Sequence, residues 1–216
     1  MQHKYLKLFL AIMFCLGLKV LQAQTVKDID GNIYKTVTIG TQVWMAENLK
    51  TTRYNDSLAI PLVLDNKTWK SLTTPAYCWY DNDETANKNT YGALYNWYTV
   101  KTGKLCPAGW HIPTDVEWTK MATYLGGTVV AFGKLKETGT THWNSPNNFA
   151  TNETGFTALP SGSRGSSGAF YFVGEYGYWW SSTKKTVWYV YTYNGNVNRL
   201  RSGKRDSFSV RCLQDF

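Results

Sequence analysis

Alternating hydrophobic and polar positions predict two strands near the start of the chain. Residues 33–39 alternate as a strand does, and residues 42–46 do so again after Gly40 and Thr41, which suit a tight turn. The preceding cluster at 28–32 (Asp, Ile, Asp, Gly, Asn) has the composition of a turn. We therefore expect a β-hairpin that follows a turn.

Apolar residues spaced three and four positions apart predict two helices. The second begins after Thr114, because Thr114 and Glu117 have the spacing of a capping box. Its apolar face continues to Leu125, and the glycine pair at 126–127 is expected to end it. The first is expected over residues 90–100, with one face formed by Tyr91, Leu94, Tyr95 and Tyr98.

The part of the chain after Phe149 is predicted to form short strands separated by Gly, Ser and Asn turns. Residues 51–76, by contrast, show no clear period and are expected to form a surface excursion. Because the helices are segregated from the strands, the predicted class is α+β, with two helices against a mainly antiparallel, twisted sheet and long loops. The clearest strands are residues 170–173, 178–181, 187–193 and 208–213. Along the longest, Trp188, Val190 and Thr192 would face one way, and Tyr189, Tyr191 and Tyr193 the other.

The first 23 residues have the pattern of a secretory signal peptide. Lys4 and Lys7 form a short basic start, residues 8–18 are apolar, and Ala23 supplies a small residue at the cleavage position. The apolar run is shorter than the roughly 20 residues of a membrane-spanning helix. Cys15 lacks the preceding small residue that lipid attachment favours. The expected mature chain, 24–216, fits one domain, exported to the extracellular space or the cell surface without membrane insertion.

The charge of the chain says little about its partners. It has 23 basic and 15 acidic residues, and three of the basic ones belong to the expected signal peptide. The others are scattered until residues 199–205, where a basic cluster favours a solvated loop between strands over a site for an acidic ligand. No nucleic-acid-binding motif accompanies the cluster, so nucleic acid is not an expected partner.

Several long motifs, in order along the chain, are found together in one family of exported bacterial proteins. They are residues 30–34 (DGNIY), 42–49 (QVWMAENL), 91–97 (YGALYNW), 106–118 (CPAGWHIPTDVEW), 155–160 (GFTALP), 178–182 (YWWSS) and 208–212 (FSVRC). Together they resemble the Fibrobacter succinogenes major paralogous domain, from about Val26 to Leu213. That family has no established activity, so the resemblance implies a fold and little about chemistry.

The order of elements also resembles, more distantly, a C-type-lectin-like fold. In that fold a Cys between the two helices is bonded to a Cys on the last strand, and Cys106 and Cys212 occupy those places. The resemblance therefore implies a Cys106–Cys212 disulfide, which an oxidising compartment would preserve. Cys78 would then be a free thiol. The alternative is that Cys106 and Cys212 are two buried thiols.

Two possible calcium sites lack the ligands that they would need. Asp28, Asp30 and Asn32 imitate the start of a calcium loop, but an EF-hand would need Gly and Glu where this chain has Ile33 and Ile39. The segment is therefore interpreted as a turn before the hairpin. The calcium-binding sugar motifs of C-type lectins are missing as well, and we expect neither a metal nor another cofactor.

Catalytic motifs are also missing from the sequence. His111 and His142 have no zinc-binding frame around them. Formylglycine-generating enzymes, whose fold is distantly related, use cysteines near the C-terminus for copper chemistry, and this chain has only Cys212 in that region. An oxidase or hydrolase is therefore the less favoured alternative, and we expect the protein not to be an enzyme.

The expected function is non-catalytic binding or adhesion outside the cell. The chain has 10 Trp, 15 Tyr and 9 Phe, which is more than core filling alone is expected to need, and such rings also suit binding surfaces. The sheet and the loops around 162–207 would present them to an extracellular glycan or a surface protein. A structural subunit of a surface assembly is a further alternative. The candidate ligand-binding residues are Trp143, Trp179, Trp188, Tyr191, Asn194, Asn196, Asn198, Arg199 and Arg201.

Overall fold

The computed structural model of the chain describes residues 24–196 and 198–215. The expected signal peptide lies outside these residues. Within them the helices are α1 (Asn66–Lys70), α2 (Glu84–Tyr91), α3 (Trp97–Val100), α4 (Asp115–Tyr124) and α5 (Ala131–Leu135), with a short 3₁₀ segment at Tyr80–Asn82. The strands are β1 (Thr25–Lys27), β2 (Ile33–Ile39), β3 (Gln42–Met45), β4 (Tyr77–Cys78), β5 (Leu94–Asn96), β6 (Trp110–His111), β7 (Ser161–Arg164), β8 (Phe170–Val173), β9 (Tyr176–Trp180), β10 (Thr186–Tyr191), β11 (Asn198–Arg201), β12 (Ser207–Phe208) and β13 (Leu213–Gln214).

The strands form three sheets, which confirms the α+β class. Their orders are β1-β2-β3-β13-β6, β11-β10-β9 and β4-β5-β12-β7-β8, and the strands pair antiparallel throughout. The strand expected over 208–213 is in fact two, β12 and β13, which belong to different sheets. Among the described residues, none of the helices has the length and hydropathy that crossing a bilayer requires.

The N-terminal hairpin and its turn are confirmed, and the end of the chain returns to them. Strands β2 and β3 pair across a tight turn, with Ile39 opposite Gln42. A carboxylate oxygen of Asp28 accepts a hydrogen bond from the amide of Asn32 at 2.9 Å, so this carboxylate closes the turn. Strand β13 then lies between β3 and β6, and the Cys106–Cys212 disulfide, confirmed at an S–S distance of 2.03 Å, links the segments that precede β6 and β13.

The helix predicted over residues 90–100 is wrong. Helix α2 ends at Tyr91, and Gly92 follows with a φ of 72°, after which the chain forms β5 between β4 and β12. A Cβ atom on Gly92 would lie only 2.8 Å from the carbonyl oxygen of Leu49. Close packing of two backbone segments therefore overrides the helical spacing. Tyr95, expected on a helix face, is a fully buried strand residue whose hydroxyl donates to the carbonyl of Thr51.

Helix α4 begins as the sequence predicts. The Thr114 side chain accepts from the Glu117 amide, and the Glu117 carboxylate accepts from the Thr114 amide at 2.7 Å, which completes the capping box. The two glycines end the helix with φ values of 103° and 95°. The excursion at 51–76 is more structured than expected, because it contains α1 and its fully buried Trp69.

The tryptophans mostly build the core, whereas several of the tyrosines and phenylalanines are exposed. Eight of the ten tryptophans are at most 1% exposed. Trp118 of α4 lies at the centre of one core cluster, with ring centroids 4.8 Å from Trp44 and 5.8 Å from Trp188. Each ring buries a large apolar area, so this cluster is a major source of stability. It also fixes one face of β9 and β10 against α4.

Candidate functional site

Alternation along β9 and β10 places their rings on two faces. On one face, Trp188 stacks on Trp118 at an interplanar angle of 17°. On the other, Tyr189 and Tyr191 lie opposite Tyr178 and Tyr176 of β9. The alternation predicted for this strand is confirmed: Trp188, Val190 and Thr192 are buried, Tyr189 and Tyr191 are half-buried, and Tyr193 is exposed.

Four residues of the second face, together with Phe172 of β8 in the neighbouring sheet, form what we call the aromatic strip: Phe172, Tyr176, Tyr178, Tyr189 and Tyr191. The Tyr176 ring is central, with centroids 5.4 Å from Tyr178 and 5.3 Å from Tyr191, at interplanar angles of 7° and 18°. Phe172 adds a ring 5.0 Å from Tyr176. Aromatic pairs of this kind contribute about 0.5–1.5 kcal/mol each beyond the area that they bury. The rings therefore hold one another in place before any ligand arrives.

The aromatic strip runs from the protein interior to the solvent. Tyr178, at the inner end, is 7% exposed and packs 5.2 Å from Phe208, whereas Phe172, at the outer end, is 48% exposed. Burial raises the pKa of Tyr178 and also that of Tyr176, which is the less buried of the two. Both hydroxyls are therefore neutral at physiological pH. The outer end offers flat apolar rings edged by uncharged hydroxyl groups.

Phe172 has a strained backbone. Its φ is +66°, in the left-handed region that favours glycine. A bulky residue there costs of order 1–2 kcal/mol. Such strain persists where the surrounding structure imposes it, and it concentrates at functional sites. Strand β8, just before its turn into β9, thus holds the exposed ring of Phe172 in a costly conformation at the end of the strip.

Three of the candidate ligand-binding residues lie in the core instead, which is a correction. Trp143, Trp179 and Trp188 are 1%, 0% and 1% exposed. Their indole N–H groups donate to the carbonyl of Ala158, the Asn48 amide oxygen and the Asp115 carboxylate at 3.0, 2.8 and 2.8 Å. Because their ring faces are covered and their donors are used, these tryptophans offer nothing to a ligand.

The two candidate arginines lie on the other face of the sheet. Register places Arg199 opposite Trp188 and Arg201 opposite Thr186. The Arg199 guanidinium donates to Asp115 at 2.8 Å and lies 5.3 Å from the Trp188 ring centroid. The arginines and Tyr191 therefore belong to opposite faces and cannot form one contact surface.

The three candidate asparagines divide between two places. Asn198 pairs with Tyr189 and so lies beside the aromatic strip. The Asn194 amide donates to the Tyr191 hydroxyl at 2.6 Å, which fixes the outer edge of the strip. Asn194 and Asn196 also line an apolar groove of about 540 Å³ with Phe149.

A second concave region, which we call the basic cleft, has a volume of about 390 Å³. It is far more polar than the groove, and it shares no lining residue with the aromatic strip. Four segments that carry the family resemblance contribute to its wall. The lining includes Lys35, Glu47, Lys50, Asn89, Thr90 and His142, with Arg211.

Arg211 is a buried cation in the wall of this cleft. Its guanidinium donates to the Asn48 amide oxygen and the Thr157 carbonyl, both at 2.8 Å, and to the carbonyl of Phe156. The ring centroid of Phe156 lies 4.1 Å away. Burial lowers the pKa of Arg211, and the charge of Glu47 raises it. Arg211 thus joins three distant segments without an ion pair to a carboxylate of the described residues.

The remaining titratable candidates have structural partners. His111 bridges Asp215 at 2.6 Å and Glu117 at 3.0 Å, and His142 contacts the Glu137 carboxylate at 2.9 Å. Within the described ranges, no group of three or more His, Cys, Asp or Glu residues could hold a metal ion. Cys78 is fully buried, and its burial raises the pKa of its thiol to about 11.

The sequence identified Tyr191 and Asn198 as candidates, but it did not identify the other residues of the aromatic strip or those of the basic cleft. Tyr176 and Tyr178 repeat with a period of two in β9, and this signal predicts that they share a face with Tyr189 and Tyr191. Nothing local marks the basic cleft, because its members are up to 176 positions apart, from Lys35 to Arg211.

Comparisons with known proteins identify the family and nothing closer. The family model described as the Fibrobacter succinogenes major domain matches residues 37–214, which is most of the chain. Searches of curated proteins and of solved structures give no significant match. The resemblance read from the seven motifs is therefore confirmed, and the chain belongs to the Fibrobacter succinogenes major domain family.

Proposed function

We propose that this chain is an exported, non-catalytic binding module, which holds an extracellular glycan or a surface protein on its aromatic strip. The observation that carries the proposal is the exposed end of the strip. There Phe172 is 48% exposed in a strained conformation, and its ring contacts Tyr176, which in turn stacks on Tyr191. Solvent-exposed rings that support one another cost little entropy when a partner binds.

A glycan fits this surface best. The nearly parallel rings of Tyr176 and Tyr191 offer flat apolar faces for the C–H groups of a sugar ring. The hydroxyl of Tyr191, held by Asn194 at 2.6 Å, supplies a polar edge at a fixed position. A protein partner would use the same rings as anchor residues.

We also propose a C-type-lectin-like fold and an exported location for this domain. The disulfide and the pairing of β13 between β3 and β6 support a C-type-lectin-like arrangement, in which both ends of the domain meet in one sheet. A disulfide also supports export to an oxidising compartment or the cell surface. Neither nucleic acid nor a membrane is proposed as the partner, and the charge of Arg199 is already paired with Asp115.

The enzyme alternative gains no support from the cysteines. A copper site of the formylglycine-generating type needs two thiolates, whereas Cys212 is in the disulfide and the Cys78 thiol is buried. A structural role in a surface assembly would use the same exposed rings, and the test below separates it from ligand binding.

An oligosaccharide array probed with the purified protein tests the proposal. We expect a glycan hit whose binding falls at least about tenfold when Phe172 is replaced by Gly and Tyr191 by Ser, which would be a loss of about 1.4 kcal/mol. Tyr124→Ser is the matched control, because Tyr124 is 66% exposed on α4 and lies outside the strip.

Three outcomes would count against the proposal. A hit that is equally weakened by Tyr124→Ser would show no role for the strip. A hit that survives the Phe172→Gly/Tyr191→Ser change would place binding elsewhere. Self-association without any hit, lost in the strip variant, would favour the structural subunit.

A further inference from the structure

The basic cleft is assembled from segments that are distant in the sequence. Lys35 comes from β2, Glu47 and Lys50 follow β3, and Asn89 and Thr90 end α2. The volume of about 390 Å³ lies within the range of roughly 300–1,000 Å³ that is typical of small-molecule sites. It is larger than a lone inorganic anion would fill, so it can hold a ring-sized ligand.

Cations outnumber carboxylates in this lining. Lys35, Lys50 and Arg211 carry positive charge, and Glu47 is the only carboxylate among the described lining residues. The Glu137 carboxylate, which is not part of the lining, contacts the ring of His142 at 2.9 Å. The cleft therefore has a positive potential that favours an anionic ligand.

The hydrogen-bonding groups left unused in the cleft are mostly donors. The ammonium group of Lys35 has no partner among the described residues, and that of Lys50 makes one bond, to the Asn89 amide oxygen at 3.2 Å. The Asn89 amide nitrogen and the Thr90 hydroxyl are likewise without partners in the described ranges. A ligand rich in acceptor oxygens would satisfy these groups.

Arg211, in the wall of the cleft, also has unused N–H donors and no anionic partner among the described residues. Three of its five N–H groups have acceptors in the described structure, and all three acceptors are uncharged. A buried cation that is not paired with an anion is costly. Because its neighbours Asn48 and Thr157 also line the cleft, an oxyanion bound there would interact with its charge at short range.

We propose that the basic cleft binds the carboxylate or sulfate group of an acidic saccharide, at a second site separate from the aromatic strip. The oxyanion is held by Lys35 and Lys50 above Arg211. Asn89 and Thr90 contact ring hydroxyls. The site stands whether or not the aromatic strip binds a glycan, since the two regions have no residue in common.

Isothermal titration of the purified protein with four probes tests this site: an oligogalacturonate, a sulfated galactan oligosaccharide, a neutral galactan oligosaccharide and sodium sulfate. We expect at least one acidic saccharide to bind, the neutral one to bind at least tenfold more weakly, and the affinity to fall as NaCl rises. Lys35→Gln with Lys50→Gln is expected to lower the affinity at least tenfold. Glu47→Gln is expected to raise the affinity severalfold, because it removes a negative charge that repels the bound oxyanion and keeps the shape of the side chain.

Lys67→Gln with Lys70→Gln is the matched control, since both lysines are exposed on α1 and the net charge changes equally. Equal losses in the two double variants would overturn the site. So would sodium sulfate that binds as tightly as the saccharides, equal affinity for the neutral probe, or no binding of any acidic saccharide. The Phe172→Gly variant is expected to bind the acidic probe normally, so failure of the strip and failure of the cleft are distinguishable.

Discussion

The two faces of the β9–β10 pair use similar residues for different purposes. One face carries Trp179 and Trp188, at most 1% exposed, each with its indole donor bonded to a fixed acceptor. The other carries Tyr176 and Tyr191, half-buried and stacked on each other. Aromatic content alone therefore does not mark a binding surface. What distinguishes the two faces is whether α4 covers the rings.

The largest expected effect comes from truncating a side chain on the face that α4 covers. Trp179→Ala should lower the free energy of unfolding by about 3–5 kcal/mol, because it leaves a cavity and removes one of the two hydrogen bonds that the Asn48 amide oxygen accepts. Tyr191→Ala, on the open face, should cost no more than about 1.5 kcal/mol. Urea denaturation of both variants measures the difference. Equal losses would mean that the two faces are equally buried.

Removing the disulfide is expected to have the next largest effect. Cys106 and Cys212 are 106 positions apart, so the double change to Ser should cost about 2–5 kcal/mol. It should destabilise both faces together, since both depend on the same domain. Thermal unfolding monitored by tryptophan fluorescence, with Cys78→Ser as the control, checks this. A double variant as stable as the control would show that the bond contributes nothing.

Phe172→Gly is expected to have little effect on stability and a large effect on binding. Glycine accepts the φ of +66° without strain, which offsets the lost ring contacts, so the free energy of unfolding should stay within about 1 kcal/mol of wild type. Binding through the strip should still be lost. A strongly destabilised variant would contradict the backbone strain at Phe172.

The last prediction concerns pH and Lys136, which follows α5 and whose ammonium group contacts the end of β10. Its ammonium donates to the carbonyls of Asn148, Tyr191 and Thr192 at 3.1–3.4 Å. Burial lowers its pKa from 10.5 to about 8 in the folded protein. Between these values the unfolded chain binds more protons, so the stability of wild type relative to Lys136→Met should rise as pH increases from 8 to 10.5. Denaturation at several pH values checks the sign, and a falling difference would contradict it.

Local signals predicted the elements, and tertiary packing decided the rest. The hairpin, the capping box at Thr114 and the two-residue period of β10 are encoded within a few positions and were confirmed. The helix over 90–100 failed because the contact between Gly92 and the backbone of Leu49 spans more than 40 positions, and spacing cannot reveal it. The disulfide was recognised only through the resemblance to a C-type-lectin-like fold.

The candidate site was predictable only in part, for the same reason. Tyr191 is half-buried at the outer end of a face whose inner end packs on Phe208, whereas α4 covers Trp188. The alternation of residues in one strand separates its two faces, but it does not predict which face packs against a helix. The arginines of β11 were placed with Tyr191 by proximity in sequence, and the register Trp188↔Arg199 puts them on the covered side.

Hydroxyl-radical footprinting with mass spectrometry tests the difference between the two faces most directly. The account predicts strong labelling of Phe172 and moderate labelling of Tyr176 and Tyr191, little of Trp179 and Trp188, and selective protection of the first three by a glycan identified on the array. Comparable labelling of the tryptophans and the strip, or a bound glycan that protects none of the strip residues, would contradict it.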